Sequence, residues 1–162
     1  MVVRMKKFFF IFLMVIILTG CQEKKNDEKK ETNDNIPVES TKIGEYDLVI
    51  NLFYWSQCSH CHEEMEWLKQ IDNKYSNLTV NYYEVTEYTE LDKKVREYFD
   101  IEKESVPLTI IGNDYYLGYS SASNAKFMTS IEKYVAFNSC DIVEKIKNDD
   151  DVSLCYDMNY NG

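Results

Sequence analysis

The chain has 162 residues, with 28 acidic against 18 basic side chains and a net charge of −10; 44% of it is hydrophobic and 14% aromatic. That length suits one modest domain with appendages, and only five Gly and two Pro argue against a disordered or collagen-like chain. An acidic surface is a poor partner for nucleic acid or for anionic lipid headgroups, so no nucleic-acid partner is expected.

The N-terminus stands outside the fold. Arg4, Lys6 and Lys7 form a basic start, and Phe8 to Leu18 is an apolar run of 11 residues. A membrane span needs about 20 residues, so this run has the length of a signal-peptide core. It ends in Leu18-Thr19-Gly20-Cys21, which resembles the bacterial lipoprotein signal. That resemblance implies cleavage after residue 20, lipid on Cys21 and a location at the cell membrane, facing the extracytoplasmic side. Loss of residues 1–20 takes the net charge to −13, leaving 15 basic against 28 acidic residues. Residues 21–44 mix Lys, Glu, Asp and Asn with almost no apolar side chain and read as a flexible tether.

From Glu45 the pattern changes. "DLVINLFYW" is nearly continuous apolar, β-branched and aromatic, which predicts a strand buried on both faces. A helix follows Ser56-Gln57-Cys58, with Cys61, Met65 and Leu68 on its inner stripe. Leu78 to Val85 is a second strand. Thr89 to Phe99 is a second helix, with Leu91, Val95, Tyr98 and Phe99 on one face. Val106 to Ile111 is a third strand, Gly112-Asn113-Asp114 a turn, and Tyr115 to Tyr119 its hairpin partner. Ser123 caps a last helix from Asn124 to about Ala136, with Met128, Ile131 and Val135 inward. The order βαβαββα predicts an α/β domain over residues 45–136. Its first two strands are parallel, its last two form an antiparallel hairpin, and helices flank the mixed sheet. Residues 137–162 read as an extension with a short helix around Ile142, Val143 and Ile146, then a solvated turn at Asn148 to Asp151.

"FYWSQCSHCHEEMEWL" (Phe53 to Leu68) carries the chemistry. Two cysteines three apart, with a histidine on either side of the second, suit three sites. A redox dithiol needs a thiolate, and Cys58 at a helix N-terminus meets unpaired N–H groups and the positive end of the helix dipole. Cys61, one turn on and facing inward, then resolves a mixed disulfide on Cys58. Covalent haem needs Cys58, Cys61 and His62 as axial ligand, but small haem proteins of that kind are mostly helical and built around the haem. Structural zinc wants four ligands, and Cys140 and Cys155 have 14 residues between them with no histidine near, so no metal is expected. With Cys21 lipidated and Cys58 and Cys61 paired, Cys140 and Cys155 remain for a structural disulfide, with a second redox pair as its rival reading.

The stretches "FYWSQCSHC", at a strand–helix junction, and "SVPLTIIGNDYYLGY" (Ser105 to Tyr119) resemble the thioredoxin superfamily. The resemblance spans roughly Glu45 to Ala136 and implies a minimal thioredoxin-like fold. It implies that Pro107 is a cis-proline opening the third strand beside the cysteines, with the Gly112 turn and Gly118 after it. Val106 and Pro107 would then shape a substrate groove, with Trp55 at its side. Two departures stand out. Thioredoxins carry a buried carboxylate six residues before the first cysteine, where this chain has Leu52. Ser59 and His60 stand between the cysteines, and a histidine there resembles the oxidising members. Protonated His60 favours a Cys58 thiolate and so an oxidising pair, while Glu63 and Glu64 oppose it.

The expected activity is therefore thiol–disulfide exchange with protein thiols or disulfides, catalysed by Cys58 and Cys61 with His60 tuning them. No cofactor beyond the protein's own disulfide is expected, and a membrane redox partner must reset the pair. A thiol reductase, a redox-inactive binding module and a c-type haem protein are the alternatives.

Overall fold

The computed structural model describes residues 40–153 and residue 155. The signal segment, Cys21, the tether up to residue 39 and the chain end from residue 156 lie outside the described residues.

Strand β1 (Leu48–Tyr54) is followed by α1 (Ser59–Lys74), β2 (Leu78–Glu84), α2 (Thr89–Tyr98), β3 (Leu108–Ile111) and β4 (Asp114–Leu117). A single 3-10 turn then leads into α3 (Asn124–Tyr134), and α4 (Ile142–Lys147) follows. The four strands form one sheet in the order β2-β1-β3-β4. β1 and β2 are parallel, as a helical crossover requires; β3 runs antiparallel to both β1 and β4. This order of strands, with helices on both faces, is the expected thioredoxin-like fold.

Period-two alternation along β1 divides the core. Leu48, Ile50 and Leu52 join Leu68 and Ile71 of α1 and Phe127 and Ile131 of α3. Phe53 points the other way, into a cluster with Leu91 and Val95 of α2 and Ile142, Val143 and Ile146 of α4. Gly112 makes the β3–β4 turn at φ +59°, and a Cβ there would stand 2.4 Å from the Tyr134 ring, so conformation and space both demand glycine.

Four sequence expectations change. Residues 41–44, read as tether, are docked: Thr41 pairs with Tyr75, and Asn77 exchanges hydrogen bonds with Ile43. The segment after Ala136, read as an extension, supplies α4 to the second core. Asn51, buried in β1, holds it there by donating to Asp141 at 2.9 Å, and Asp141 in turn caps α4. In α2 the buried face is Leu91, Val95 and Arg96, whereas Tyr98 is 41% exposed. On α3 Ile131 is buried as expected, as is Val135 just past its end, but Phe127, Ser130 and Tyr134 are buried with them and Met128 lies at the edge.

Candidate functional site

Cys58 is the N-cap of α1, with extended backbone, and its sulfur accepts the Cys61 N–H at 3.2 Å. The turn before it is closed by the Cys58 N–H donating to the Trp55 carbonyl at 2.9 Å. A sulfur in this place occupies the seat where a helix start receives negative charge. Cys58 is half-buried and Cys61 fully buried, and both are free thiols.

The second wall comes from the loop before β3. The Val106–Pro107 peptide is cis. Cys58 Sγ lies 3.9 Å from the Val106 carbonyl, to which its thiol donates. Val106 is half-buried and Pro107 buried, while Trp55 is 41% exposed on the near side. Arg96 holds this loop from below. Its guanidinium donates to the Lys103 and Ser105 carbonyls while Nε grips the Asp92 carboxylate at 2.8 and 3.0 Å. Glu84 braces the other side, accepting from the Ser56 N–H at 3.1 Å and from the Thr86 hydroxyl and N–H. The Thr86 hydroxyl above all holds the Glu84 carboxyl below the usual carboxylate range.

The two histidines separate. His60 is exposed, with Nδ1 3.7 Å from Glu63. His62 Nε2 hydrogen-bonds the Ser56 carbonyl at 2.7 Å. Among the described residues no cluster of three or more His, Cys, Asp or Glu is arranged to hold a metal ion. Cys140 and Cys155 are joined by a disulfide.

The sequence marks Glu64 only as a charge opposing the Cys58 thiolate, not as a buried residue. The inner stripe of α1 is Cys61, Glu64, Leu68 and Ile71, with Met65 only half-buried. Glu64 is fully buried, accepts from the Thr109 hydroxyl through Oε1, and has no partner for Oε2. Burial pushes its carboxyl up to about 7, against the Thr109 hydrogen bond. Burial likewise pushes the Cys61 thiol up to about 12, with contributions from Cys58 and from the Glu64 charge. A signal existed: Cys61, Leu68 and Ile71 are spaced by seven and three, and that period includes position 64.

Residues 5–22 match the family model of the prokaryotic membrane lipoprotein lipid attachment site. The chain is a membrane-anchored lipoprotein. Cys21, the one cysteine in the matched stretch, is where the lipid attaches. Among solved structures, the germline-specific thioredoxin Deadhead (Thioredoxin-1) of Drosophila melanogaster is similar at 22% identity, over 54% of this chain and 81% of that one, with a TM-score of 0.38. The strand order and connections of this lipoprotein define its fold. No curated protein matches the chain.

Proposed function

We propose that this lipoprotein is a thiol–disulfide oxidoreductase on the extracytoplasmic side of the membrane, exchanging disulfides with protein substrates in the oxidising direction. One observation carries the reading. The Cys58 sulfur is half-exposed at the α1 N-terminus, receives the Cys61 N–H, and faces the Val106 carbonyl beside the cis peptide. A nucleophile, a shielded partner and an edge for an extended substrate thus meet at one sulfur.

In the oxidising direction a substrate thiolate attacks Cys58 Sγ of the Cys58–Cys61 disulfide. The S–S bond breaks, Cys61 leaves with the electron pair and takes a proton, and substrate and Cys58 share a mixed disulfide. A second substrate thiolate attacks the substrate sulfur and expels Cys58. The substrate loses two electrons and two protons, and the cysteine pair gains them. A membrane-bound electron acceptor then reoxidises the pair. No cofactor other than this disulfide takes part.

His60 supports the direction, because a histidine at the helix start, when protonated, stabilises the reduced, thiolate form. The reduction potential tests this: about −120 mV accords with an oxidase, whereas about −270 mV would overturn the direction in favour of a reductase. Replacing His60 by Ser is expected to lower the potential by about 30 mV, a tenfold change in the exchange equilibrium. Exchange itself is tested with Cys61→Ala, which should accumulate mixed disulfides with client proteins on Cys58. Cys58→Ser should abolish them, and a Cys58→Ser protein that supports client folding as well as the wild type does would leave only a binding module.

A further inference from the structure

Cys61 poses a problem that the exchange reaction leaves open. To resolve a mixed disulfide it must attack as a thiolate, yet it is fully buried and its thiol is held up to about 12. A group nearby has to remove the proton. Glu64 lies one turn further along the same buried stripe of α1, fully enclosed. Its Oε1 is committed to Thr109, and its Oε2 is buried with no hydrogen-bond partner. A buried carboxylate oxygen without a partner is costly and calls for a reason.

The sheet register says where this carboxyl sits. Leu52 of β1 pairs with Tyr82 of β2 on one side and Thr109 of β3 on the other, and Thr109 pairs with Tyr116 of β4. Paired residues point to the same face, so this row lies beneath α1, and Glu64 reaches it at Thr109. We propose that Glu64 is the internal base that takes the proton from Cys61 when the mixed disulfide on Cys58 is resolved, and returns it when the Cys58–Cys61 disulfide is opened. This rests on the exchange function proposed above.

The step balances. The Cys61 S–H proton passes to the Glu64 carboxylate, leaving a carboxylic acid and a thiolate. The Cys61 thiolate attacks Cys58 Sγ and forms the Cys58–Cys61 bond. The Cys58–substrate bond breaks and the substrate sulfur leaves with the electron pair. The other titratable groups that feel Glu64 cannot serve as the base. Tyr82 is held up to about 12 by burial, then by Asp72 and Glu64. Tyr119, beyond β4, is also held up by burial, with Glu64 and Glu63 adding to it. From α3, on the same face, Phe127 and Ile131 are apolar, and Tyr134 is engaged by Lys133 and Asp114.

Dithiobis(nitrobenzoate) separates the two chemical steps on the intact, reduced protein. One nitrothiobenzoate leaves when Cys58 attacks, and a second when Cys61 resolves the adduct. In wild type the second release should depend on a group titrating near pH 7. In Glu64→Gln, which keeps the acceptor for Thr109, the second release at pH 7 should slow at least about a hundredfold relative to the first, the lower range for a positioned base. It should then rise steadily with pH without that inflection. A second release as fast as wild type, or equal slowing of both, overturns the role of Glu64. If Gln at this position prevents folding, the side-chain carboxyl carbon of Glu64 in wild type decides by NMR. A midpoint near 7 that moves when the cysteines are oxidised supports the proposal. A midpoint near ~4.3, or one indifferent to the cysteines, overturns it. Wild type that releases no first nitrothiobenzoate would instead sink the exchange function itself.

Discussion

Enclosing the Glu64 carboxyl has a thermodynamic consequence at the scale of the residue. Its pKa rises on folding from 4.5 to about 7. The native state therefore holds a proton between those values that the unfolded chain has lost. Stability is full below pH 4.5, falls as pH rises towards 7, and stays reduced above it. The shift corresponds to roughly 3 kcal/mol. Glu64→Gln removes the ionisation, so it should be more stable than wild type at pH 8 by about 2 to 3 kcal/mol, and the gain should vanish near pH 5. Urea unfolding at both pH values measures it, and a gain independent of pH would contradict the buried ionisation. A residue that weakens the fold at neutral pH is what a functional group buried for its acidity looks like.

At the scale of the element, α2 acts on the site through a single side chain. Its apolar positions Leu91 and Val95 seal the second core, but Arg96 beside them is also buried. One guanidinium ties Asp92 on its own helix to the Lys103 and Ser105 carbonyls just before Val106. Replacing Arg96 by Met would leave those acceptors and the Asp92 carboxylate without their donor. The expected cost is about 2 kcal/mol or more, read as a lower urea midpoint. Amide exchange across residues 103–106 should quicken at the same time, whereas loss of stability with an unchanged loop would show that Arg96 does not shape the groove. Helical periodicity cannot report this, because it marks which positions face inward and not which polar ones find partners there.

For the whole molecule, the C-terminal segment completes one face of the core. Ile142 and Val143 are buried beside Phe53 and Val95, and two ties hold α4 in place: the Asn51–Asp141 hydrogen bond and the Cys140–Cys155 disulfide. The bridged cysteines are 15 apart in sequence, so the chain-entropy model assigns the link about 3 kcal/mol. Cys140→Ser combined with Cys155→Ser should lose about that much stability to urea while still releasing both nitrothiobenzoates in a single turnover. Loss of the reaction with stability intact would identify the second cysteine pair as an electron relay.

Local chemistry is written in neighbouring residues, and so the sequence by itself determined the strand–helix junction that puts Cys58 at a helix start. It also determined the βαβαββα order, through runs of apolar and β-branched residues broken by turn residues, and the lipid signal at Cys21. The antiparallel placement of β3 beside β1 was decided by the tertiary structure, because hydrogen-bond pairing between distant strands leaves no local pattern. So was the fate of the acidic residues after Cys61. Glu63 and Glu64 are adjacent and chemically alike, yet one is exposed beside His60 and the other is sealed over the sheet. A rotation of 100° per residue along α1 separates them, and only the packed sheet, with Thr109 in the right row, gives that rotation its chemical meaning.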